Sequence, residues 1–292
     1  MKLARVLVAA LALAVVVVPC AAPAASISDF LSYTLSNDDQ LPLLRGRLHV
    51  PADYANHPSK SRPLMLFLHG AGESGTNNIS QINGNIDNLL AAAKTRDAFL
   101  YAPQTNIGWA NSTLMSYAMA MIDRAIDERN VDPNRIYVTG LSMGGGGVWN
   151  FVNQFPDRVA ASVPIAAINP SGSFLPATVI DEPIWAFHAR NDGTVSANAS
   201  RSVVNRLLNE AGQQLPAYPA LNNFSADFQF DAPLYDLHYT EYRTGGHGIW
   251  GRVYNTSAMY DWLFAHSSVP EPSAVALMMI GLVACGCNRS CR

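Results

Sequence analysis

Cysteine is almost absent from the 292-residue chain, and its few copies lie near the two ends. The four cysteines are Cys20, Cys285, Cys287 and Cys291. The long region between Cys20 and Cys285 therefore cannot carry a disulfide framework. The terminal cysteines have no histidine or carboxylate beside them and lack the spacing of a zinc site, so we expect no metal site.

Charged residues are also scarce, at 14% of the chain, and basic residues do not predominate: 19 Lys and Arg stand against 22 Asp and Glu. A surface that binds nucleic acid phosphates needs the opposite balance, which excludes nucleic acid as a partner. A phosphate-binding loop and a dinucleotide fingerprint are missing too, since no Lys-Ser/Thr pair follows the glycine run 144–147. The sequence therefore predicts no nucleotide-phosphate site.

The first 25 residues have the pattern of a secretory signal peptide. Lys2 and Arg5 precede an apolar run over residues 7–18, and Ala22-Pro23-Ala24 places small residues before a cleavage site. The apolar run is shorter than the ~20 residues that a spanning helix needs, which favours export over a retained anchor. We predict a signal peptide over residues 1–25 and an exported protein.

A second signal is predicted over residues 267–292. The motif Val269-Pro270-Glu271-Pro272 is followed by an apolar run over residues 273–284 and then by Arg289 and Arg292. This order resembles a bacterial PEP-CTERM sorting signal. The resemblance implies a sorting protease, transient membrane association through this segment, and delivery to the cell envelope or the extracellular matrix. The alternative is a short tail anchor that stays in place, with the two arginines on the cytoplasmic side.

Residues 26–266 are predicted to form one catalytic domain in which strands and helices alternate. The predicted strands cover residues 43–50, 63–68, 98–102, 135–139, 159–166, 184–188 and 237–242, and the predicted helices cover 115–129, 145–154, 200–210 and 257–264. Strands separated by helices predict an α/β fold with a mostly parallel, doubly wound sheet and helices on both faces. Right-handed crossovers place the active-site loops at the carboxyl ends of the strands.

The most informative motif is Gly140-Leu141-Ser142-Met143-Gly144, which directly follows the predicted strand 135–139. A serine in a G-x-S-x-G motif between a strand and a helix is typical of a nucleophile elbow, in which a sharp turn exposes the hydroxyl. The flanking glycines suit this turn because a Cβ there would crowd it. The pentapeptide is short enough to arise by chance, so its meaning depends on the rest of the chain.

Two later loops supply the partners that a serine nucleophile needs. Asp192 follows the predicted strand 184–188, and His247 lies among glycines after the predicted strand 237–242. A serine hydroxyl reacts when a base takes its proton, and a carboxylate orients that base. Asp181 and Glu182 are rivals to Asp192, but they precede their strand and would lie at its opposite end. We therefore predict Ser142, Asp192 and His247 as a catalytic triad in the chain order of α/β-hydrolases.

Backbone N–H groups near the elbow are candidates for an oxyanion hole. The segment 68–73, Leu-His-Gly-Ala-Gly-Glu, ends the first buried strand, where the N–H of Ala71 would face the reacting carbonyl. The N–H of Met143 is the second candidate. His69 is interpreted as shaping this turn rather than as the base. Candidates for the substrate pocket are Trp109, Trp149 and Trp250, and the alternative for each is a place in the core.

These motifs, with Phe155-Pro156-Asp157-Arg158 and Tyr239-Thr240-Glu241-Tyr242, resemble the phospholipase/carboxylesterase and polyhydroxybutyrate-depolymerase-like esterases. The resemblance covers residues 43–266. It implies an α/β-hydrolase fold and a secreted serine carboxylic-ester hydrolase that acts on small-molecule or polymeric esters through an acyl-enzyme, without a cofactor. Residues 213–236 depart from the family as an insertion, which is either a lid or binding wall or a packed surface loop.

Two other functions remain open from the sequence. A serine peptidase related to the prolyl oligopeptidases would use the same triad. An envelope binding protein that kept the fold and lost catalysis is the alternative from a different class, and reaction with a fluorophosphonate probe distinguishes it from an enzyme.

Overall fold

The computed structural model describes residues 23–37 and 42–268. The two predicted terminal signals lie almost entirely outside these residues, as do the PEP-CTERM-like motif and all four cysteines. Within the described part, no helix combines the length and hydropathy needed to cross a membrane.

The described residues form a ten-stranded sheet in which six adjacent strands run parallel. The strands are β1 (Leu31–Ser32), β2 (Leu35–Ser36), β3 (Pro42–His49), β4 (Arg62–Leu68), β5 (Phe99–Gln104), β6 (Val131–Leu141), β7 (Ala161–Ile165), β8 (Ile184–Ala189), β9 (Phe228–Asp231) and β10 (Leu237–Tyr242). Their order is β1-β3-β5-β4-β6-β7-β8-β10-β9, with β2 paired to β3. The strands from β5 to β10 in this order are parallel, and β3 and β9 add antiparallel edges. The predicted fold class, a mostly parallel doubly wound sheet, is confirmed.

Helices cover both faces of this sheet. They are α1 (Asp87–Thr95), α2 (Ser112–Arg129), α3 (Met143–Gln154), α4 (Pro176–Val179), α5 (Asn198–Glu210), α6 (Trp250–Val253) and α7 (Ser257–Phe264). Buried side chains of α2, α3, α4 and α5 share one hydrophobic cluster, and those of α1, α6 and α7 share the other. Each parallel strand is thus buried between two helical layers, as strands in such sheets generally are.

Strand β4 shows how the sequence produces this two-sided core. Its seven residues are all buried. Leu64, Leu66 and Leu68 belong to one hydrophobic cluster, whereas Met65 and Phe67 belong to the other, because successive side chains of a strand point to opposite faces. A continuous apolar run is therefore what this strand requires, and each buried large side chain contributes about 2 kcal/mol.

Six elements were not predicted: β1, β2, β9, α1, α4 and α6. Five of them have four residues or fewer, too short for a repeating pattern. Strand β9 belongs to the insertion at residues 213–236 and pairs antiparallel with β10. The insertion's Tyr218 and Phe228 pack against each other and against Tyr239 of β10, with ring centroids 5.5 to 6.4 Å apart. Of the two interpretations of the insertion, these contacts favour a packed surface loop. A role as a lid or binding wall stays a prediction.

Candidate active site

Ser142 occupies the turn between β6 and α3 in a conformation that few residues adopt. Its φ of 55° and ψ of −115° lie outside the ordinary helical and extended regions. Three hydrogen bonds hold this backbone: the Ser142 N–H donates to the Ile165 carbonyl at 2.9 Å, and the Ser142 carbonyl accepts from Gly146 at 3.0 Å and from Ile168 at 3.2 Å. Strain of this kind persists only when neighbouring contacts fix it, and it is concentrated at functional sites.

The two glycines of the motif are required by close backbone contacts. A Cβ placed on Gly144 would lie 1.9 Å from the Leu68 carbonyl oxygen, and one placed on Gly140 would lie 2.5 Å from the Gly144 carbonyl oxygen. Neither distance is compatible with a side chain. The start of α3 therefore packs directly on the end of β4, which brings Ser142 next to the turn after that strand.

The structure brings the three predicted triad residues into one hydrogen-bonded chain. His247 Nε2 lies 2.8 Å from Ser142 Oγ, and His247 Nδ1 lies 2.7 Å from Asp192 Oδ2. A carboxylate only accepts, so Nδ1 carries the proton and Nε2 is free to accept the serine hydroxyl. The rival carboxylates Asp181 and Glu182 precede β8 and lie at the other edge of the sheet.

The carboxylate of Asp192 is fully buried and has four hydrogen-bond donors around it. Its Oδ1 accepts from the backbone N–H groups of Thr194 at 2.8 Å and Val195 at 2.9 Å, and its Oδ2 is approached by His247 and, at 3.3 Å, by His188 Nε2. Burial alone would raise the pKa of Asp192, but the bonds from His188, His247 and the two backbone N–H groups outweigh it and hold the pKa well below its ordinary value. Asp192 is therefore an anion at neutral pH.

The two predicted oxyanion donors lie at the ends of adjacent strands, β4 and β6. Ala71 begins a short 3₁₀ turn, Ala71–Glu73, and Met143 begins α3. N–H groups in the first turn of a helix have no acceptor within that helix, and within the described part of the chain those of Ala71 and Met143 have none elsewhere. They are free to bind an oxygen that develops negative charge.

His69 fixes the peptide unit that carries one of these donors. Its ring Nδ1 donates to the Gly70 carbonyl at 2.7 Å, and its Nε2 accepts from the Thr105 N–H at 3.1 Å. In a trans peptide the carbonyl and the following N–H point in opposite directions, so holding the Gly70 carbonyl also aims the Ala71 N–H. Burial lowers the pKa of His69, which keeps the ring neutral and this pair of bonds intact. The geometry supports the interpretation that His69 shapes the turn.

The three tryptophans proposed for the pocket have different places. Trp149 is fully buried and packs against Phe174, with ring centroids 6.2 Å apart, so it belongs to the core and does not reach a substrate. Trp109 is 1% exposed and donates its indole N–H to the His69 carbonyl at 2.9 Å. Trp250 meets the His247 ring edge to face at 5.6 Å, so it is the one of the three that contacts a triad residue.

A hydrogen-bonded bridge that the sequence did not indicate joins the His247 loop to the oxyanion turn. The Trp250 indole N–H donates to Asn85 Oδ1 at 2.8 Å, and the Asn85 amide donates to a carboxylate oxygen of Glu73. Glu73 closes the 3₁₀ turn that begins at Ala71. The bridge therefore connects the His247 loop to the 3₁₀ turn that carries the Ala71 N–H.

A groove runs along one face of α3, beginning at Met143, the residue after Ser142. A cavity of about 210 Å³ is lined by Gly108, Trp109, Ala110, Met143, Gly146, Asn150, Ile168, Asn169, Pro170 and Ser171. A second cavity of about 190 Å³ shares Ala110, Asn150 and Ser171 with the first and is otherwise lined by Ser112, Met115, Asn153, Gln154 and Ser173. Helical residues 143, 146, 150 and 153 share one face over about 15 Å. The groove has no charged lining residue, is mainly apolar near Met143, and is polar at its far end.

Acidic, histidine and cysteine side chains are not grouped to hold a metal ion anywhere in the described residues.

Comparisons with known proteins support the fold. A sequence profile described as the dienelactone hydrolase family matches residues 101–243. A solved structure of a thermostable esterase is 33% identical in sequence and superimposes with a TM-score of 0.66. The match covers 82% of this chain and 64% of the esterase chain. The chain has the α/β-hydrolase fold.

Two curated relatives of the chain are much longer proteins. The chain is 26% identical over 154 residues to a bifunctional acetylxylan esterase/xylanase from Neocallimastix patriciarum, which covers 51% of this chain and 22% of that protein. It is 28% identical over 120 residues to a poly(3-hydroxybutyrate) depolymerase from Ralstonia pickettii, which covers 35% of this chain and 25% of that protein. The chain thus spans about a quarter or less of the length of these two relatives.

Proposed function

We propose that this α/β-hydrolase is a serine esterase that cleaves carboxylic esters through an acyl-enzyme intermediate. The observation that carries the proposal is the continuous chain from Ser142 Oγ through the His247 ring to the buried Asp192 carboxylate, with contacts of 2.8 and 2.7 Å. Those are the distances over which a proton passes between a nucleophile and its base.

In the acylation half of the proposed reaction, Ser142 Oγ attacks the ester carbonyl carbon while His247 Nε2 takes the hydroxyl proton. Asp192 holds the His247 ring in its tautomer and stabilises the imidazolium that forms. The carbonyl oxygen becomes an oxyanion and accepts from the N–H groups of Ala71 and Met143. A donor of this kind typically lowers the barrier by about 3 kcal/mol.

Deacylation repeats these steps with water. His247 first returns its proton to the alkoxide that leaves as the alcohol, and it then accepts a proton from the water that attacks the acyl carbon. Collapse of the second tetrahedral intermediate breaks the bond to Ser142 Oγ, and the proton on His247 passes back to that oxygen. The carboxylic acid leaves and the triad is restored, so no cofactor enters the balance.

The groove along α3 supports an uncharged substrate. No lysine, arginine, aspartate or glutamate lines either cavity, and the apolar part lies next to Met143. A charged group would lose its hydration in this groove without gaining a partner. We assign the groove to one side of the ester, either the acyl group or the alcohol, of a small or polymeric substrate.

The names of the relatives favour an esterase over a peptidase. The thermostable esterase, the acetylxylan esterase/xylanase and the poly(3-hydroxybutyrate) depolymerase are all named for ester cleavage. The proposal extends to export, on the strength of the terminal sequence patterns: a bacterial protein that loses residues 1–25 and reaches the envelope or extracellular matrix through its C-terminal segment. The masses of the protein recovered from the membrane fraction and from the medium test both cleavages.

The test of the reaction is turnover of short p-nitrophenyl esters by the purified protein and by Ser142→Ala. We expect the variant to lose at least 1,000-fold in kcat/KM, an order of magnitude set by loss of a triad nucleophile. Ser202→Ala, at an exposed serine of α5, is the matched control and should retain activity. Full turnover by Ser142→Ala would refute the assignment.

Two further assays separate the alternative functions. Aminoacyl p-nitroanilides report a peptidase, and we expect no turnover of them. A fluorophosphonate probe reports a reactive serine, and we expect it to label the wild-type protein and not Ser142→Ala. A folded wild-type protein that the probe never labels would indicate a binding protein.

A further inference from the structure

His188 is a completely buried histidine of β8 that lies behind the triad carboxylate. Its Nε2 is 2.9 Å from the Val195 carbonyl oxygen and 3.3 Å from Asp192 Oδ2, and its Nδ1 is 2.8 Å from Ser200 Oγ. Carbonyl and carboxylate oxygens only accept, so the partners of Nε2 place the ring proton there. Nδ1 then accepts from the Ser200 hydroxyl, which fixes the tautomer.

We propose that His188 is a positioning residue of the triad, acting on His247 through Asp192. The proposal rests on the esterase function proposed above. Its geometric basis is that the Nε2–H of His188, which donates to the Val195 carbonyl at 2.9 Å, also lies beside Asp192 Oδ2, with Nε2 3.3 Å from the oxygen that accepts from His247 Nδ1. A second donor on that oxygen orients the carboxylate and takes up part of its negative charge, so Asp192 attracts the proton on His247 less strongly.

The other charged groups around His188 are already paired with one another. Glu241 of β10 is in register with His188, and its two carboxylate oxygens accept from Arg190 Nε and Arg201 Nε, each at 2.7 Å. Arg201 directly follows Ser200 in α5. Asp192 is therefore the carboxylate of this cluster without an arginine, and its hydrogen bonds come from histidines and backbone N–H groups.

The role predicts a change in pH dependence as well as in rate. Removing the His188 N–H concentrates charge on Asp192 Oδ2, which stabilises the protonated form of His247 and raises the pH above which the base works. For His188→Leu we expect kcat/KM to fall on the order of tenfold, the size of one lost hydrogen bond to a charged group. We expect the acid limb of its pH profile to move up by roughly half a unit.

Two milder variants and one control sharpen the test. His188→Gln keeps an N–H donor near the position of Nε2 and should restore the wild-type limb. Ser200→Ala deletes the hydroxyl that fixes the His188 tautomer. It should move the acid limb up, as His188→Leu does, but by a smaller amount. His49→Leu removes another buried histidine, whose ring Nδ1 contacts the Asp29 carbonyl far from the triad, and should leave the limb in place.

The decisive measurement is the pH profile of kcat/KM for all four variants, after thermal melts show which are folded. If His188→Leu does not fold, Ser200→Ala and His188→Gln decide. The proposal would be overturned if His188→Leu lowered kcat/KM without moving the acid limb, because His188 would then have a merely structural role. If His188→Leu does not fold, the same result in Ser200→Ala would overturn it. A wild-type protein without Ser142-dependent turnover would instead refute the esterase function itself.

Discussion

The indole N–H of Trp109 donates to the backbone carbonyl of His69 across 2.9 Å and ties the loop after β5 to the turn that carries the Ala71 N–H. His69 is consequently held at three atoms: its carbonyl oxygen by Trp109, its Nε2 by the Thr105 N–H and its Nδ1 by the Gly70 carbonyl. The oxyanion turn is therefore positioned by buried side chains and by the loop after the neighbouring strand.

The Trp109 bond predicts a linked loss of stability and rate in Trp109→Phe. The variant keeps most of the packing but leaves the buried His69 carbonyl without a donor, which costs about 1 to 3 kcal/mol of unfolding free energy. Urea unfolding measures that loss, and kcat should fall with it. Trp185→Phe is the control, because its indole N–H donates to Thr240 at the same distance of 2.9 Å without touching the oxyanion turn. Equal loss of kcat in both variants would contradict this role.

Replacing His69 should slow catalysis without weakening substrate binding. In His69→Leu the Gly70 carbonyl loses its donor, so the Ala71 N–H is no longer aimed at the oxyanion. We expect kcat to fall on the order of 100-fold with little change in KM, as when one oxyanion donor is removed. Steady-state kinetics on a p-nitrophenyl ester measures both constants. A rise in KM at constant kcat would mean that His69 acts on ground-state binding instead.

Gly144→Ala should abolish activity and strongly destabilise the protein. The new Cβ would fall 1.9 Å from the Leu68 carbonyl oxygen, so β4 and α3 must separate. We expect a loss of about 3 kcal/mol or more in unfolding free energy, measured by urea titration. Gly251→Ala, where an added Cβ meets nothing within 4 Å, should fold and react like the wild type. A stable and active Gly144→Ala protein would be incompatible with the elbow geometry.

Narrowing the groove should change chain-length preference on one side of the ester only. Ile168→Phe places a larger side chain beside Met143 and should lower kcat/KM for long chains on the order of tenfold while sparing acetates. Two homologous series, one varying the acyl chain and one varying the alcohol, show which side enters. If the variant keeps the wild-type preference in both series, the groove does not bind substrate.

Stability should depend on pH through a second histidine cluster, at the start of β10 and the end of α7. Asp236 accepts from His238 Nε2 at 2.7 Å, from the Trp262 indole at 2.9 Å and from His266 Nε2. The Asp236 bond raises the pKa of His238, and although burial opposes it, Asp236 also raises the pKa of His266. Burial would raise the pKa of Asp236 itself, but the bonds from His238, His266 and Trp262 lower it well below its ordinary value.

The signs of these shifts define a window of maximal stabilisation. The raised histidine pKa values stabilise the fold fully below about pH 6.5 and lose this effect as pH rises through the folded-state values. The lowered Asp236 pKa stabilises it above about pH 4 and loses this effect as pH falls. Because the cluster is partly exposed, screening limits the contribution to about 1 kcal/mol. Urea unfolding at pH 5.5 and 8.5 should show the difference in the wild type and in Asp261→Asn, an exposed control on α7. The difference should be smaller in Asp236→Asn, where Asp231 still contacts His238 Nδ1.

The site residues that could be predicted from the sequence are those with a recognisable motif or strand pattern in the residues next to them. Ser142 has its elbow glycines beside it, and Asp192 and His247 each follow a strand whose apolar run is visible. The parallel sheet then brings these strand ends together, because parallel strands place their carboxyl ends at one edge. The eleven predicted strands and helices also follow from local apolar patterns, and the structure contains each of them, with the ends shifted by a few residues.

What could not be predicted depends on contacts between distant parts of the chain. Trp250 reaches Asn85, which is 165 residues away, and Trp109 reaches His69 across 40 residues. Neither bond leaves a local pattern. The burial of Trp149 is set by Phe174 on a loop after the next strand, so its sequence neighbourhood could not separate a core residue from a pocket residue.

The backbone bond from the Ile168 N–H to the Ser142 carbonyl means that the proposed nucleophile and the proposed substrate groove share a support. Ile168 lines the groove through its side chain while its main chain holds the strained turn. An engineer who wishes to change substrate range can therefore alter the side chain of residue 168, or residues farther along such as Ser173, but should leave the length of the 166–170 loop untouched. Insertions there would disturb the turn at Ser142 and so lower its reactivity.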